Sequence, residues 1–279
     1  MYIKEKSKHI LNKFCKVYYW HNINPKNKGI IVFLPGSSLN HTSMISLATL
    51  FYREGYSTLL YDQRGTGFSS KPMEYKEYSP VKFSEDLFLI LKKENIKKPI
   101  FITHSYGIVP AAYYVAKTHN AQRIISIYGS NNFKETINSK FIYYLFQFIL
   151  RHNGILYATK NELKAKILNK KIKYMDFSKA KTSKEISNLF ANESTLEYVH
   201  ANRIMAYRNL HTDISKELSK IMVPVMNIIG KQDKIVTAKA NHNLRKLLKN
   251  FKEIKIDGGH DDLIIKPKKM FKLILKNII

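Results

Sequence analysis

"PIFITHSYGIVPAA", residues 99–112, decides how this chain is read. Ile100 to Ile102 are wholly apolar, as a strand buried on both faces must be. The run stops at Thr103-His104-Ser105-Tyr106-Gly107, and an alanine- and tyrosine-rich stretch with helical spacing takes over. Ser105 therefore stands at the corner between a buried strand and a helix. It could be a helix N-cap, its hydroxyl satisfying a free first-turn amide. It could also be a nucleophile on a tight turn outside the carboxyl end of a strand, where open parallel sheets bind ligands. A sharp corner of that kind needs small residues two before and two after the serine. Gly107 meets the need; Thr103 is larger than glycine.

Around this corner the elements alternate. Strands are expected at 15–23, 29–36, 56–62, 99–103 and 123–129, and again at 223–230 and 251–257. Asn40 or Thr42 can cap a helix whose Met44, Leu47, Ala48 and Phe51 share a face, with Gly55 as its stop. Ser79-Pro80 opens a second helix with Phe83, Leu87, Ile90 and Leu91 on one side. A third carries Tyr113–Lys117, another falls within 237–249, and a terminal helix follows His260. Residues 131 to about 215 break the pattern: one glycine, Gly154, no proline and no convincing buried strand. The fold class is thus α/β, a mostly parallel central sheet with helices on both faces. Core segments 1–130 and 216–279 are expected to flank an inserted helical cap, 131–215.

Composition narrows the classes of function. A single cysteine, Cys15, rules out an intrachain disulfide and reads as a buried structural thiol. The charged start "MYIKEKSKHILNKF" lacks the apolar centre of a secretory signal, and no run of eighteen apolar residues occurs, so a cytoplasmic protein is expected. The net charge of +26 comes from lysines scattered over nearly every helix, which fits compositional bias better than a polyanion site; no nucleic-acid partner is expected. "ILNKKIKY" (167–174) is the best basic surface. "FIYYLFQFIL" (141–150) is apolar all round but too short to span a bilayer. It is expected to line an apolar pocket as a cap helix, with peripheral contact to an anionic membrane surface as the minority reading. There is no H-E-x-x-H, no cysteine pair and no phosphate-binding glycine loop, so neither metal nor cofactor is expected.

Three other strand ends supply partners for Ser105. Asp233 follows the 223–230 strand in "GKQDKIV", and His260 follows the 251–257 strand in "DGGHDDL". The order serine, aspartate, histidine is the one expected for a triad on such a sheet. His260 would take the serine proton and return it to the leaving group; Asp233 would fix the ring's tautomer and stabilise its charged form. Asp257, Asp261 and Asp262 flank His260, but a neighbour in sequence can rarely reach round to orient the ring. In "FLPGSSLN", Gly36 permits a sharp turn, after which the amide of Ser37 can point at a developing oxyanion; the amide of Tyr106 would be the second donor. Ser37 and Ser38 read as turn formers, His41 as a capping or solvent residue, and His104 as packing.

These residues resemble the α/β-hydrolase superfamily over nearly the whole chain outside 131–215. "YDQRGTGFSS" (61–70) adds to the likeness, matching an Asp-x-Arg-Gly-x-Gly-x-Ser segment at Asp62, Arg64, Gly65, Gly67 and Ser69. The resemblance implies that this segment braces loops beneath the site and takes no part in chemistry. Thr103 replaces the family's first elbow glycine, and Pro35 stands where many members have histidine. The likeness implies a serine hydrolase of the esterase, lysophospholipase or monoacylglycerol-lipase kind, cleaving small esters with an apolar acyl group through an acyl-enzyme. An amide hydrolase resembling proline iminopeptidase is the alternative; it would need cap carboxylates, for which Glu193 and Glu197 are the one suggestive pair. A catalytically silent binding protein on the same fold is the alternative of another class.

Overall fold

The computed structural model describes residues 7–133, 155–170, 174–236 and 244–278. The strands are β1 (Lys8–Asn12), β2 (Cys15–Asn22), β3 (Ile30–Leu34), β4 (Ser57–Tyr61), β5 (Ile100–His104), β6 (Arg123–Ile127), β7 (Val225–Gly230) and β8 (Phe251–Ile256). They form one eight-stranded sheet in the order β1-β2-β4-β3-β5-β6-β7-β8. From β4 to β8 every pairing is parallel, while β2 runs antiparallel to both β1 and β4. All seven expected strands form. β1 was not anticipated: "KHILN" buries only Ile10, and an edge strand with one inward residue looks like a charged tail in sequence.

Alternation along the central strands builds two cores. Val32, Leu34, Leu59 and Phe101 face α2 (Pro80–Lys93) and α3 (Ile108–Thr118), meeting Phe83, Leu87 and Val109. Ile31, Phe33, Leu60, Ile100 and Ile102 face the other way, toward α1 (Thr42–Glu54) and the C-terminal helix. Gly55 ends α1 in the left-handed region at φ +113°. Pro110 lies in the first turn of α3, where amides have no partner within the helix, so its missing N–H costs little.

Between β6 and β7 lie α4 (155–167), α5 (Ser183–Glu193), α6 (Leu196–Leu210) and the short α7 (Ser215–Leu218). α8 (Leu244–Leu247) is the described part of the helix expected within 237–249. The 141–150 stretch, and 171–173 of the basic one, lie outside the described residues. The single helix expected after His260 is two, α9 (Asp262–Ile265) and α10 (Pro267–Ile278). Lys266 precedes a proline, and steric conflict with the ring drives it to φ −127° and ψ 49°, which breaks the helix. Among the described residues no helix is long and apolar enough to cross a membrane.

Candidate active site

Ser105 occupies the β5–α3 corner at φ +50°, a left-handed conformation that a serine adopts only where its surroundings impose it. The constraint comes from the neighbouring strand. A Cβ on Gly107 would lie 2.2 Å from the Leu34 carbonyl oxygen and 2.9 Å from that of Pro35, so no other residue fits there. At the other small-residue position Thr103 stays in regular strand register between Leu34 and Ser126. The cost of that departure is its hydroxyl, buried without a hydrogen bond among the described residues. Ser105 caps nothing: the residue flanking its turn makes no side-chain cap, and among the described residues the Ser105 hydroxyl donates to no partner.

The ends of β7 and β8 bring the expected acid and base together. His260 Nδ1 lies 2.8 Å from Asp233 Oδ2. The other carboxylate oxygen accepts the amides of Ile235 and Val236 at 2.8 and 2.9 Å. Burial works to raise the Asp233 pKa, but the His260 hydrogen bond and charge, with those two amides, outweigh it and hold the carboxyl below its ordinary range. The loops can meet because Gly230 has no side chain: a Cβ there would lie 2.4 Å from the Gly258 carbonyl oxygen. Competing carboxylates are engaged elsewhere. Asp257 pairs with Lys231 at 3.1 Å, and Asp262 with Lys266 at 3.1 Å. Asp261 sits at the N-cap position of α9.

His260 reaches the elbow through His104, whose ring centroid is 4.9 Å from its own. His104 Nε2 donates to the His260 carbonyl oxygen at 3.1 Å, and burial, seconded by the charge of His260, pushes its pKa down to about 3. Neutral around neutral pH, it is a strut under the histidine loop, which gives its packing role a direction. No hydrogen bond joins Ser105 Oγ to His260 here; hydrogen bonds of this kind often tighten only with substrate bound. On the opposite side, a Cβ on Gly36 would lie 3.3 Å from Ser105 Cβ, so the 35–40 loop abuts the serine. The Ser37 amide donates to no protein acceptor among the described residues, and the Tyr106 amide is in the first turn after the elbow. Ser38 makes the turn at φ +68°.

"DQRGTGFSS" braces this layer from below. Arg64 is wholly buried, with Nε and Nη2 each 2.7 Å from the Asp86 carboxylate and Nη1 2.8 Å from Glu77. Asp62 accepts the His41 amide and ring nitrogen at 2.8 Å each, the Phe68 amide at 2.9 Å and the Tyr174 hydroxyl at 3.1 Å. His41 thus departs from its expected role. It occupies the N-cap position of α1 without a side-chain cap bond, and its ring binds Asp62 beneath Trp20. The thiol of Cys15 is buried and pushed up to about 12 by that burial. Sequence reasoning missed Tyr128, whose ring lies 5.7 Å from that of His260. Its place at the carboxyl end of β6 was the available signal. It also missed Tyr198, Asn202 and Asn209 of α6, which reach the 35–40 loop and carry no local motif.

Comparison with known proteins agrees with this architecture. A family model described as alpha/beta hydrolase fold matches residues 29–267. "Probable lysophospholipase L2" of Haemophilus influenzae is 23% identical, with 90% of this chain and 83% of that protein aligned. Among solved structures, an esterase (EaEST) from Exiguobacterium antarcticum superposes with a TM-score of 0.75 at 16% identity, covering 98% of this chain and 99% of that one. A bromoperoxidase from Bacillus anthracis does so with a TM-score of 0.75 at 18% identity, covering 97% and 98%. The family model spans β3 to β8 with the loops that carry Ser37, Ser105, Asp233 and His260, well over half of the chain: this chain belongs to the α/β-hydrolase fold family and is an enzyme of the hydrolase kind.

Proposed function

We propose that the protein is a serine hydrolase that cleaves carboxylic esters with an apolar acyl group through an acyl-enzyme. The observation that carries this reading is the hydrogen-bonded Asp233–His260 pair, packed through His104 against a serine held at φ +50°. Ser105 Oγ attacks the ester carbonyl as His260 Nε2 takes its proton, and Asp233 stabilises the resulting imidazolium. The negative charge that develops on the carbonyl oxygen is met by the amides of Ser37 and Tyr106. His260 then protonates the departing alkoxide, and a water activated by the same ring cleaves the acyl-serine. No resident cofactor enters these steps.

The apolar acyl group is supported by the lysophospholipase named among the relatives. So is an approach to lipid: α4 exposes Leu156, Leu163 and Ile167 along one face, interleaved with the exposed Lys160, Lys164 and Lys166. Such a face suits an anionic lipid surface. The test is covalent. A fluorophosphonate probe is expected to label the wild type and not Ser105→Ala, and p-nitrophenyl esters of rising chain length are expected to turn over faster than aminoacyl-anilides. Labelling that persists in Ser105→Ala, or a preference for the anilides, overturns the reading.

A further inference from the structure

The two amides assigned to the oxyanion belong to different strands. Ser37 follows β3 and Tyr106 follows β5; the Leu34–Thr103 register and the close approach of Gly107 to Leu34 and Pro35 hold the two strand ends together, but neither contact holds the side chains of Ser37 and Tyr106. Yet a useful pair of donors must both lie about 2.7–3.1 Å from one oxygen, and the field they supply falls away if either drifts. Side chains from one helix and the turn that ends it reach both residues. Asn209, in the last turn of α6, donates from Nδ2 to Ser37 Oγ at 2.6 Å. Thr212, just beyond that helix, has its Oγ1 3.2 Å from the Tyr106 hydroxyl. Proton accounting sets the direction of the second bond. The Thr212 hydroxyl donates its single proton to the Arg208 carbonyl at 3.0 Å, so the Tyr106 phenol must be the donor between them. Asn209 and Thr212 are themselves tied, the Thr212 amide donating to the Asn209 carbonyl at 3.0 Å.

The rest of α6 reinforces the loop end of this bridge. Tyr198 donates to the Ser38 carbonyl at 2.7 Å, and the Ser38 hydroxyl donates to Asn202. Tyr198, Asn202 and Asn209 lie within about 40° of each other around a helix that turns 100° per residue, so a single polar stripe grips the 37–38 turn. That turn needs gripping, because Ser38 holds a left-handed conformation at φ +68° that a non-glycine residue keeps only under constraint.

We propose that α6 sets the spacing of the oxyanion donors, with Asn209 acting through the Ser37 hydroxyl and Thr212 through the Tyr106 phenol as positioning residues. The inference rests on the serine-hydrolase reading above. It is tested by steady-state kinetics on a p-nitrophenyl ester, each enzyme normalised by burst titration with the fluorophosphonate so that misfolded protein is not counted. Asn209→Leu and Thr212→Val are each expected to lower kcat by about 10- to 100-fold with KM within twofold, short of the 10²–10³-fold typical of losing a donor outright. Thr212→Ser is expected to recover most of the loss, and Tyr106→Phe to reproduce Thr212→Val. If Asn209 works through Ser37, then Ser37→Ala costs the same and adding Asn209→Leu to it costs nothing further. The acid limb of the kcat–pH profile is expected not to move in any of them. Should Asn209→Leu fail to fold, Ser37→Ala and Thr212→Val read the same two links. Values of kcat per titrated site within twofold of wild type, or losses confined to KM, overturn the inference. A wild type that the probe leaves unlabelled instead removes the serine-hydrolase reading on which it stands.

Discussion

Two histidine–carboxylate pairs in this molecule share a separation of 2.8 Å and little else. In one, His260 on Asp233, the ring lies beside the β5 corner and its loop is carried by a neutral histidine. In the other, His41 on Asp62, the ring is roofed by Trp20 at 3.6 Å, and the carboxylate accepts four hydrogen bonds from three other parts of the chain. The first pair has nearby a hydroxyl with no partner among the described residues; the carboxylate of the second is saturated with donors. A short distance between imidazole and carboxylate therefore says little about chemistry. What lies next to the remaining ring nitrogen decides the role.

The widest separation between the pairs is expected in turnover. Asp233→Asn should lower kcat on a p-nitrophenyl ester by about 10⁴-fold, since the amide leaves the imidazole in the wrong tautomer and its charged form unsupported. Asp62→Asn should leave kcat per titrated site within about tenfold of wild type while lowering the melting temperature, because an amide cannot accept all four of those donors. A folded Asp62→Asn protein as inactive as Asp233→Asn would erase the distinction.

A second contrast is expected in stability. Tyr174→Phe removes the phenol that donates to Asp62 Oδ2 at 3.1 Å and stacks on Phe68 at 4.1 Å. The ring stays and only the hydrogen bond to a buried carboxylate is lost, so urea unfolding should report a loss of about 1.5–3 kcal/mol. Turnover should hardly change. A drop in kcat without a drop in stability would move Tyr174 from the brace to the chemistry.

The Asp233 pair also carries a signature in acid. The folded Asp233 carboxyl is held below its ordinary range, so the stability it contributes is fully present above the unfolded value of about 4 and is lost as pH falls through the lower folded value. The gap in melting temperature between wild type and Asp233→Asn should therefore be widest near neutral pH and close progressively below about pH 4. A gap that stays constant into acid would mean the carboxylate is not what His260 and the two amides stabilise.

How far each pair could be seen in sequence follows from the same difference. Asp233 follows the apolar β7 and His260 follows β8, whose Phe251, Ile254 and Ile256 stand among charged residues, and the strand ends of a parallel sheet converge by construction. Ser105 was legible because Gly107 marks the close approach of β3. His41–Asp62 was half visible: Asp62 belongs to a recognisable brace, but its partner is set by how the 35–42 loop folds back, which no periodicity records. Least legible was α6. Tyr198, Asn202 and Asn209 form a stripe that faces a loop about 160 residues away in the chain, and ordinary polar residues at helical spacing look like a solvated face until that loop is in place. β1 escaped for a similar reason, since one buried isoleucine between lysines makes no pattern.

Thr103 carries the smallest expected effect and tests the elbow itself. Its side chain sits wholly buried in β5, on the strand that leads into Ser105, and its hydroxyl finds no hydrogen-bond partner among the described residues. A hydroxyl stripped of water without a replacement partner is a standing cost, and valine has the same branched shape without it. Thr103→Val is therefore expected to raise stability by about 1 kcal/mol in urea unfolding, with kcat within twofold, because the backbone that presents Ser105 is set by the β3 contact at Gly107 and not by residue 103. Thr103→Gly should do the reverse. It would restore the family's glycine yet loosen a fully buried central strand, lowering stability by about 1 kcal/mol or more without improving turnover. If the glycine variant instead gained activity, the corner would be strained by Thr103 after all, and the positive φ at Ser105 would owe something to the residue before it as well as to the strand beside it.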